Sequence, residues 1–382
     1  MTQEERIALR NWEEFHKSFT SDMPVENGLS RRDIERRRKE LEQDPIKWIQ
    51  YFFPKYAKYE FAPFHVRAIR RIIEHDEWYE VLSWSRELAK STVSMFVLMY
   101  LALTGRKKFI VLASATITSA TRLLTPFRLN FENNPRIKQF YGIQQLVGQW
   151  TETDFTCRCG AKFVALGAGS APRGARNEAV RPDIIYLDDY DTDEDCRNPE
   201  TLKKKWDWFE GALYPTRSIS EPTLVLWCGN IIAKDCCIAR AGAIAKSWDI
   251  VNIRDKSGKS TWPAKNTEEQ INTVLAGISA RAVQAEYFNN PVSEGKIFRN
   301  LPFGKVPALS KFKFLIGYGD PAYSDSKKKG SSTKSLWLIG KYKGVYYIIK
   351  GFLAHETNAN FIGWYFKLDK YVGSKVPVYW YI

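Results

Sequence analysis

Residues 81–96 have the sequence VLSWSRELAKSTVSMF, and this stretch carries the strongest indication of the fold. A short apolar run, VLSW, passes into a polar turn, and Lys90, Ser91 and Thr92 then open a strongly apolar segment. This order predicts a strand, a loop and a helix. Such a loop binds phosphate when backbone N–H groups, a lysine and a hydroxyl converge at the helix N-terminus.

The usual phosphate-loop pattern is G-x-x-x-x-G-K-[ST]. Here Trp84 and Ala89 stand in the two glycine positions, whereas Lys90 and Ser91 match the pattern. Taken alone, the stretch is a weak match. An ordinary strand-to-helix turn with a solvent-facing lysine is the simpler interpretation of it.

The sequence IIYLDD (184–189) strengthens the phosphate-loop interpretation. Its four apolar residues precede Asp188 and Asp189 at the carboxyl end of a predicted parallel strand, the edge at which open α/β sheets bind ligands. In nucleotide hydrolases one acid at this place orients Mg²⁺, and a neighbouring group positions the attacking water. The acids that follow are expected in a solvated loop: Asp191, Asp193, Glu194 and Asp195.

Strand-like runs alternate with helical stretches between about residues 60 and 255. Their near-continuous aliphatic and β-branched content predicts an α/β domain with a mainly parallel sheet covered on both faces. The predicted strands are 79–84, 108–114, 162–167, 183–189, 222–229 and 247–253.

The composition changes around residues 290–310, where Pro, Gly and Ser predict a linker. Further strands are predicted beyond it, followed by a helix and a last strand, VPVYWYI; these strands are 312–320, 335–342 and 345–353. The expected organisation is a helical arm (1–58), the α/β domain (59–290), a linker (291–310) and a C-terminal domain (311–382).

The chain carries a net charge of +14, and the charge is uneven. Residues 183–195 hold seven acids and no Lys or Arg, so the remainder carries +21. Such a basic balance suggests a polyanionic partner, most simply nucleic acid, although a highly charged soluble surface is the plainer alternative. The basic run RRDIERRRKE (31–40) is open to the same two interpretations, a solvated helix face or a DNA-facing stripe.

Other classes of protein are disfavoured. The cysteines at 157/159 and 236/237 are too closely spaced for the usual zinc knuckle, and no histidine cluster accompanies them. Reduced thiols in a cytosolic protein are expected instead. The mixed-charge N-terminus is not a signal peptide, and the longest apolar run (95–103) is too short to span a bilayer.

Several stretches in the same order resemble the large terminase subunit of tailed bacteriophages, and together they cover roughly residues 45–382. They are the loop SWSRELAKST, the segment GAGSAPRGARNEAVRPDIIYLDDYD, the strand TLVLWCGN, the junction RAVQAEYFNNPVSEGKIF and the strand GYGDPA. The resemblance implies an ASCE-type P-loop ATPase domain at 59–290, followed by a partial RNase H-like nuclease domain at 311–382.

The resemblance also implies roles in binding ATP with Mg²⁺. Lys90 would contact the β- and γ-phosphates, Ser91 (with Thr92) would serve Mg²⁺, and Arg86 would sense or stabilise the γ-phosphate. Ser85 completes this ATP-binding set.

Further roles follow from the same resemblance. Asp188 would hold Mg²⁺, and Asp189 would be the catalytic base, where the family usually has Glu. His65 would lie at the adenine, where Gln is common. Arg173 and Arg176 would reach phosphate or DNA, or be surface arginines. The coupling strand would end in Cys228, Gly229 and Asn230.

An RNase H-like nuclease gathers about three acids around a pair of metal ions, here Mg²⁺ or Mn²⁺. Asp320 is the one such acid that the sequence places, and it is both a predicted metal ligand and a predicted catalytic residue. Asp325 is expected in a loop with three lysines, 327–329. The next acid is expected just beyond Ile382, so the chain is expected to be truncated and its nuclease inactive.

The function implied is an ATP-driven motor that packages viral DNA. The expected partners are double-stranded phage DNA, the portal and procapsid, the small terminase subunit and copies of this chain in a ring, in the host cytoplasm and away from membranes. A helicase-like P-loop translocase, a non-catalytic DNA-binding or capsid-associated protein and an integrase-like nuclease are the alternatives.

Overall fold

The structure is a computed structural model that describes residues 24–172, 180–291, 304–322 and 333–382. The chain divides into two compact units, Met1–Lys296 and Ile297–Ile382. The residues Arg173, Arg176, Asp325 and 327–329, to which the sequence assigned roles, lie outside the described ranges.

The described part of the first unit contains one eight-stranded sheet in the order β3-β4-β5-β2-β6-β7-β1-β8. Its strands are β1 (Trp78–Trp84), β2 (Phe109–Ser114), β3 (Gln145–Trp150), β4 (Asp154–Cys157), β5 (Lys162–Gly167), β6 (Ile184–Asp188), β7 (Leu224–Cys228) and β8 (Ser247–Val251). Six adjacent strands of this sheet are parallel to one another, which confirms the predicted sheet; they are β5, β2, β6, β7, β1 and β8.

The helices of the described part of this unit surround the sheet. They are α1 (Arg31–Glu42), α2 (Pro45–Phe52), α3 (Pro63–Glu74), α4 (Lys90–Leu103), α5 (Ile117–Asn133), α6 (Pro135–Tyr141), α7 (Asp193–Arg197), α8 (Pro199–Trp208), α9 (Cys237–Ile244), α10 (Glu268–Ala276) and α11 (Ala280–Phe288).

The order of the strands in this sheet determines which loops lie next to one another. The strand that leads into the phosphate loop, β1, does not pair with the acid-bearing strand β6, because β7 pairs with both of them. The carboxyl ends of β1, β7 and β6 therefore lie side by side at one edge of the sheet. This is the strand order expected of an ASCE-type ATPase.

The sheet is covered on both faces, as predicted. Successive residues of β1 belong to opposite cores: Val81 packs in the cluster around Trp227, and Leu82 packs in the larger cluster with Trp48 and Phe96. Since side chains alternate across a strand, this division follows directly from the extended backbone. Trp48 of α2 is fully buried in the larger core.

The β3–β4 hairpin was missed by the sequence analysis. β4 pairs antiparallel with β5 at the edge of the sheet, and β3 pairs antiparallel with β4. Most residues of β3 are exposed, so the strand lacks the apolar run that marks the buried strands. DFTC in β4 alternates polar and apolar residues, but four residues are too few to predict a strand.

The basic run of α1 favours a solvated helix face. Arg36 pairs with Asp33 at 3.0 Å, and Lys39 pairs with Glu35 at 3.1 Å. Several of its cations are thus matched by acids one helical turn away, and they give a surface of mixed charge rather than a uniform positive stripe.

The described part of the second unit contains a four-stranded sheet in the order β11-β10-β9-β12. Its strands are β9 (Leu315–Asp320), β10 (Lys334–Tyr342), β11 (Val345–Ala354) and β12 (Val378–Tyr381), with helix α12 at Asn358–Val372. β10 pairs antiparallel with its neighbours, and β12 pairs parallel with β9. The hairpin turn between β10 and β11 is Lys343-Gly344, and both of its residues have positive φ.

One face of this second sheet packs on α12 and buries Leu336, Leu338 and Leu368. The alternate residues Ile316, Tyr318 and others point to the opposite face and are exposed. Among the helices of the described residues, none has the length and apolarity needed to cross a membrane.

Candidate nucleotide-binding site

Three segments meet at the carboxyl edge of the first sheet and enclose a cavity of about 380 Å³. They follow β1, β6 and β7, and side chains from all three line the cavity. The lining residues predicted from the sequence are Arg86, Lys90, Asp189, Cys228, Gly229 and Asn230.

The loop between β1 and α4 takes the backbone shape that glycines normally supply. Glu87 and Ala89 have φ values of 69° and 59°, in the left-handed region. Ala89 occupies the second glycine position of the usual pattern and is the residue before α4. Alternation of left- and right-handed residues turns successive N–H groups toward one side, which makes an anion-binding concavity. Trp84, in the first glycine position, is a buried residue of β1.

Contacts from distant segments hold this loop. Lys265 donates from Nζ to the carbonyl oxygen of Glu87 at 3.0 Å and to its carboxylate at 2.8 Å. Asn266 donates to the same carbonyl at 3.4 Å. His65 contacts the carbonyl of Leu88 at 3.0 Å. Side chains thus bind carbonyl groups of the loop, and the N–H groups of Ser85, Arg86 and Leu88 donate to backbone carbonyls. The N–H groups of the first turn of α4, which lack partners within the helix, are the ones that an anion can reach.

The structure places His65 beneath the loop, not at an open surface that an adenine could reach. The imidazole is fully buried, and its Nδ1 accepts from the N–H of Ala62 at 3.1 Å. Nε2 therefore carries the proton and donates to Leu88. Burial lowers the pKa of His65 to about 4, which keeps the ring neutral. Its neighbours are aromatic, with the Trp262 ring centroid 4.4 Å away.

Two cations of the loop are engaged by side chains from distant segments. Lys90 donates from Nζ to Oδ1 of Asn230 at 2.7 Å, so the phosphate-loop lysine and the end of the coupling strand are in direct contact. Arg86 donates from Nε to Oε2 of Glu286 at 2.6 Å. Arg86 and Lys90 both line the cavity, as expected for phosphate-binding cations.

Asp188 is buried at the end of β6 and accepts a hydrogen bond from the Tyr186 hydroxyl at 2.7 Å. Burial and the adjacent charge of Asp189 raise the pKa of Asp188 to about 6, against the opposing effects of the Ser91 hydroxyl and the Lys90 charge. Its Oδ1 is buried without a hydrogen-bond partner in the described structure.

These features fit a hard divalent cation. A carboxylate oxygen that lacks a partner and a hydroxyl at the helix N-terminus are oxygen donors of the kind that Mg²⁺ prefers, with substrate phosphates completing its coordination. Asp188 and Ser91 are the residues that would hold it. No group of three or more His, Cys, Asp or Glu side chains suited to a metal occurs in the described ranges.

The other predicted site residues lie at different depths. Asp189 is exposed, lines the cavity and has a φ of 44°. Ser85 is buried at the base of the loop, where its N–H donates to Val251 at 2.8 Å. Cys228 is buried with its sulfur 3.0 Å from the Ser94 hydroxyl. Thr92 is half-buried in the first turn of α4.

The prediction that the acids after Asp189 form a solvated loop is wrong: Asp193, Glu194 and Asp195 lie in helix α7, and Asp191 and Asp195 bind other parts of the protein. Asp191 accepts from the N–H groups of Cys237 and Ile238, at 2.9 and 2.8 Å, and so caps the N-terminus of α9. Asp195 accepts from Lys205 at 2.7 Å. A capping role needs a helix that is distant in sequence, which local composition cannot reveal. Asp193 and Glu194 are exposed on the short helix α7.

Glu286 and Asn289 were not assigned roles by the sequence analysis, although both belong to the junction motif. Asn289 donates to the carbonyl of Ser83 at 2.8 Å and accepts from the N–H of Ile231 at 3.1 Å. It thereby ties the end of α11 to β1 and to the turn after β7. The junction motif was the sequence signal for both residues. It could not identify their contacts, because the residues that they bind are distant in the sequence.

A second cavity of about 310 Å³ is lined in part by Glu87 of the loop. It is mainly apolar and is lined by Tyr59, Tyr287, Ile253, Ile271, Val274, Leu275, Lys265, Asn266 and Gln270. The two cavities have no lining residue in common, and each includes one residue of the loop, Arg86 or Glu87.

In the second unit, Asp320 is exposed at the carboxyl end of β9, and its Oδ1 accepts from the N–H of Ala322 at 3.1 Å. Nearby, Lys334 is fully buried and donates to the carbonyl of Pro321 and to Asn358. Asp320 belongs to no acidic cluster among the described residues.

At the level of sequence, the chain matches no family model and no curated protein. Among solved structures it is similar to the large terminase of bacteriophage HK97, with 13% identity and a TM-score of 0.47 over 89% of this chain and 74% of that one. It is similar to the large terminase of a thermophilic bacteriophage in complex with ADP, with 13% identity and a TM-score of 0.39 over 82% and 74%. It is also similar to the ATPase domain of the Thermus phage P74-26 large terminase, with 13% identity and a TM-score of 0.37 over 59% of this chain and 93% of that one. All three are phage large terminases, the family that the sequence motifs resemble.

Proposed function

We propose that the first unit binds and hydrolyses ATP at the carboxyl edge of its sheet. The observation that carries this proposal is a cavity lined by Lys90 and Asp189, with the buried carboxylate of Asp188 next to both residues, beside a loop with two left-handed residues. The three residues come from two strands that are separated in the sheet by β7.

Each residue has a role that follows from its position. Lys90 and the N–H groups at the start of α4 bind the outer phosphates, and Arg86 neutralises charge on the terminal one. Mg²⁺, when held by Asp188 and Ser91, supplies charge stabilisation at the phosphate oxygens. Asp189 is exposed to the cavity and orients the attacking water.

The second cavity is proposed as the site of the base. Its apolar lining with Tyr59 and Tyr287 suits a planar heterocycle, while Lys265 and Asn266 provide polar contacts at its rim. A nucleotide lying across the loop would place its base there and its phosphates in the first cavity. His65 then acts on the nucleotide indirectly, by holding the loop through Leu88.

The cellular role proposed for this hydrolysis is packaging of double-stranded phage DNA into a procapsid. The motif order in the sequence and the net charge of +14 support it, since a motor must grip the backbone of any sequence. The portal, the small terminase subunit and further copies of the chain in a ring are the proposed partners, in the host cytoplasm.

ATPase activity with and without double-stranded DNA tests the proposal. Lys90→Ala and Asp188→Ala are each expected to lower kcat by about 10²-fold or more, because each removes charge stabilisation in the transition state. Lys204→Ala, a change at an exposed lysine of α8, is the control and should retain the parent rate. Hydrolysis that survives the first two substitutions would exclude this site.

For the second unit we propose a metal-dependent nuclease of RNase H-like type, in which Asp320 binds Mg²⁺ or Mn²⁺. Its position at the carboxyl end of β9, between β10 and β12, supports the assignment. Because Asp320 belongs to no group of three or more potential metal ligands among the described residues, we expect little cleavage of supercoiled plasmid by this chain. Robust cutting that persists in Asp320→Ala would contradict the placement.

A further inference from the structure

Two cysteines, Cys157 and Cys159, lie in one tight turn near the edge of the first sheet. Cys157 is the last residue of β4, and the turn that follows it leads into β5. The N–H of Cys157 donates to the carbonyl of Ala161 at 2.7 Å, and the N–H of Gly160 donates to the carbonyl of Cys157 at 2.8 Å. Gly160 has a φ of 90°, which glycine adopts without strain and which lets the chain reverse within these few residues.

A buried glutamine fixes this turn and brings the two sulfur atoms together. Gln144 accepts from the N–H of Cys159 at its side-chain oxygen, at 3.1 Å, and from the N–H of Arg158 at its main-chain carbonyl, at 2.8 Å. Cys157 is fully buried in the larger hydrophobic core, and Cys159 packs against the same core. The thiol of Cys157 donates a hydrogen bond to the sulfur of Cys159.

The two thiols differ in exposure and in acidity. Cys159 is half-buried, and the hydrogen bonds from the Cys157 thiol and from backbone N–H groups lower its pKa to about 7, against the opposing effect of burial. Burial raises the pKa of Cys157, which keeps that thiol protonated. An accessible thiolate next to a buried thiol is suited to thiol–disulfide exchange, in which one sulfur attacks and the other resolves the intermediate.

The other four cysteines lack this combination. All six cysteines lie in the described ranges and carry free thiols. Cys228, Cys236 and Cys237 are buried. Cys196 is half-buried like Cys159, but burial raises the pKa of its thiol to about 12, so it supplies almost no thiolate at neutral pH.

We propose that Cys157 and Cys159 form a redox-active site whose substrate is a low-molecular-weight disulfide. The Cys159 thiolate attacks one sulfur of the small disulfide, which forms a mixed disulfide and expels a thiolate. The Cys157 thiol gives its proton to that thiolate, and its sulfur attacks the Cys159 sulfur. The Cys157–Cys159 bond closes and the second thiolate leaves. The protein dithiol is thereby oxidised by two electrons, and the small disulfide is reduced to one thiol and one thiolate.

Treatment of the native whole chain with oxidised glutathione, followed by iodoacetamide and trypsin, tests this site by mass spectrometry. Trypsin cuts after Arg158, so reduced cysteines separate into the peptides 139–158 and 159–162, whereas a Cys157–Cys159 bond keeps these peptides joined. We expect the joined peptides as the main product. They should form at least about tenfold faster than a glutathione adduct of Cys196, because only the thiolate attacks.

Variants separate the two roles within the pair. Cys157→Ser should stop at the mixed disulfide, with glutathione on Cys159, and Cys159→Ser should leave the buried Cys157 unmodified. Cys196→Ser is the matched control and should give the joined peptides at the parent rate. In urea the hydrogen bonds to sulfur are lost, so the preference for Cys159 over Cys196 should disappear.

Three results would overturn the proposal. They are glutathione on Cys196 before Cys159, a parent chain that yields no joined peptides, and a preference for Cys159 that is as large in urea as in the native protein.

Discussion

At the scale of single residues, Ala89 explains how a phosphate loop can lack glycine. Its φ of 59° places an L-residue in the left-handed region, which costs about 1–2 kcal/mol. Contacts to the neighbouring carbonyls offset this cost: Lys265 binds Glu87, and His65 binds Leu88. These side chains therefore stabilise a left-handed backbone conformation that glycine would adopt without strain.

The charge of Asp188, which suits it to hold Mg²⁺, lowers the stability of the nucleotide-free fold. Burial raises its pKa to about 6 in the folded chain, above the ordinary value of 3.8. The ionised carboxylate thus destabilises the nucleotide-free fold above about pH 6, and the penalty disappears as pH falls toward 3.8. We expect Asp188→Asn to raise the free energy of unfolding by about 1–3 kcal/mol at neutral pH while abolishing hydrolysis.

Urea denaturation of the nucleotide-free parent and Asp188→Asn at several pH values measures this effect. The stability difference should be largest above pH 6 and shrink in acid, where the parent carboxyl also becomes neutral. A variant that is less stable than the parent at neutral pH would contradict the prediction. Asp193→Asn, a substitution at an exposed acid of α7, is the control and should show no such pH dependence.

At the scale of elements, α11 joins parts of the site that the sheet keeps separate. Asn289, just beyond its last residue, has a φ of 46° and is 8% exposed. Its amide reaches β1 through Ser83 and β8 through Val251, and it also binds the segment after β7 through Ile231. One side chain therefore fixes the helix end against three neighbouring parts of the sheet.

We expect Asn289→Ala to lower the free energy of unfolding by about 2–4 kcal/mol, because it leaves several buried backbone groups without partners. It should also weaken ATP binding, since the loop loses its support from α11. Asn290→Ala is the matched control in the same motif, because Asn290 is exposed and its side chain bonds only to nearby Gln284 in the described structure. Equal losses of stability in the two variants, by chemical denaturation, would refute the assignment.

The elements themselves were largely predictable. Buried parallel strands such as β2 and β6 were recognised because both of their faces are apolar and their sequences are continuous hydrophobic runs. The edge strand β3 was missed because exposed strands carry no such run. The short helix α7 was predicted as loop, since its five residues are mostly acidic and polar.

At the scale of the whole molecule, the net charge of +14 and the clustering of acids in one segment favour binding to polyanions. Backbone-directed binding releases counterions from DNA, so affinity falls steeply with salt and shows little sequence preference. We expect double-stranded DNA of any sequence to bind this chain, with an affinity that drops by about 10²-fold or more between roughly 50 and 200 mM salt. Fluorescence anisotropy with two unrelated duplexes measures it, and a salt-independent or sequence-specific affinity would argue against a motor.

The α/β class, most strands of both units, and the positions of Lys90 and Asp188 at strand ends could be predicted from the sequence. These follow from local hydrophobic period and from the rule that ligands gather at the carboxyl edge of a parallel sheet. Three contacts were recognisable only in the folded chain: His65 supports the loop, Asp191 caps α9 and Arg86 pairs with Glu286. The physical reason is distance along the chain: each of these contacts joins elements that local pattern describes separately, and burial and hydrogen-bond geometry exist only once those elements pack.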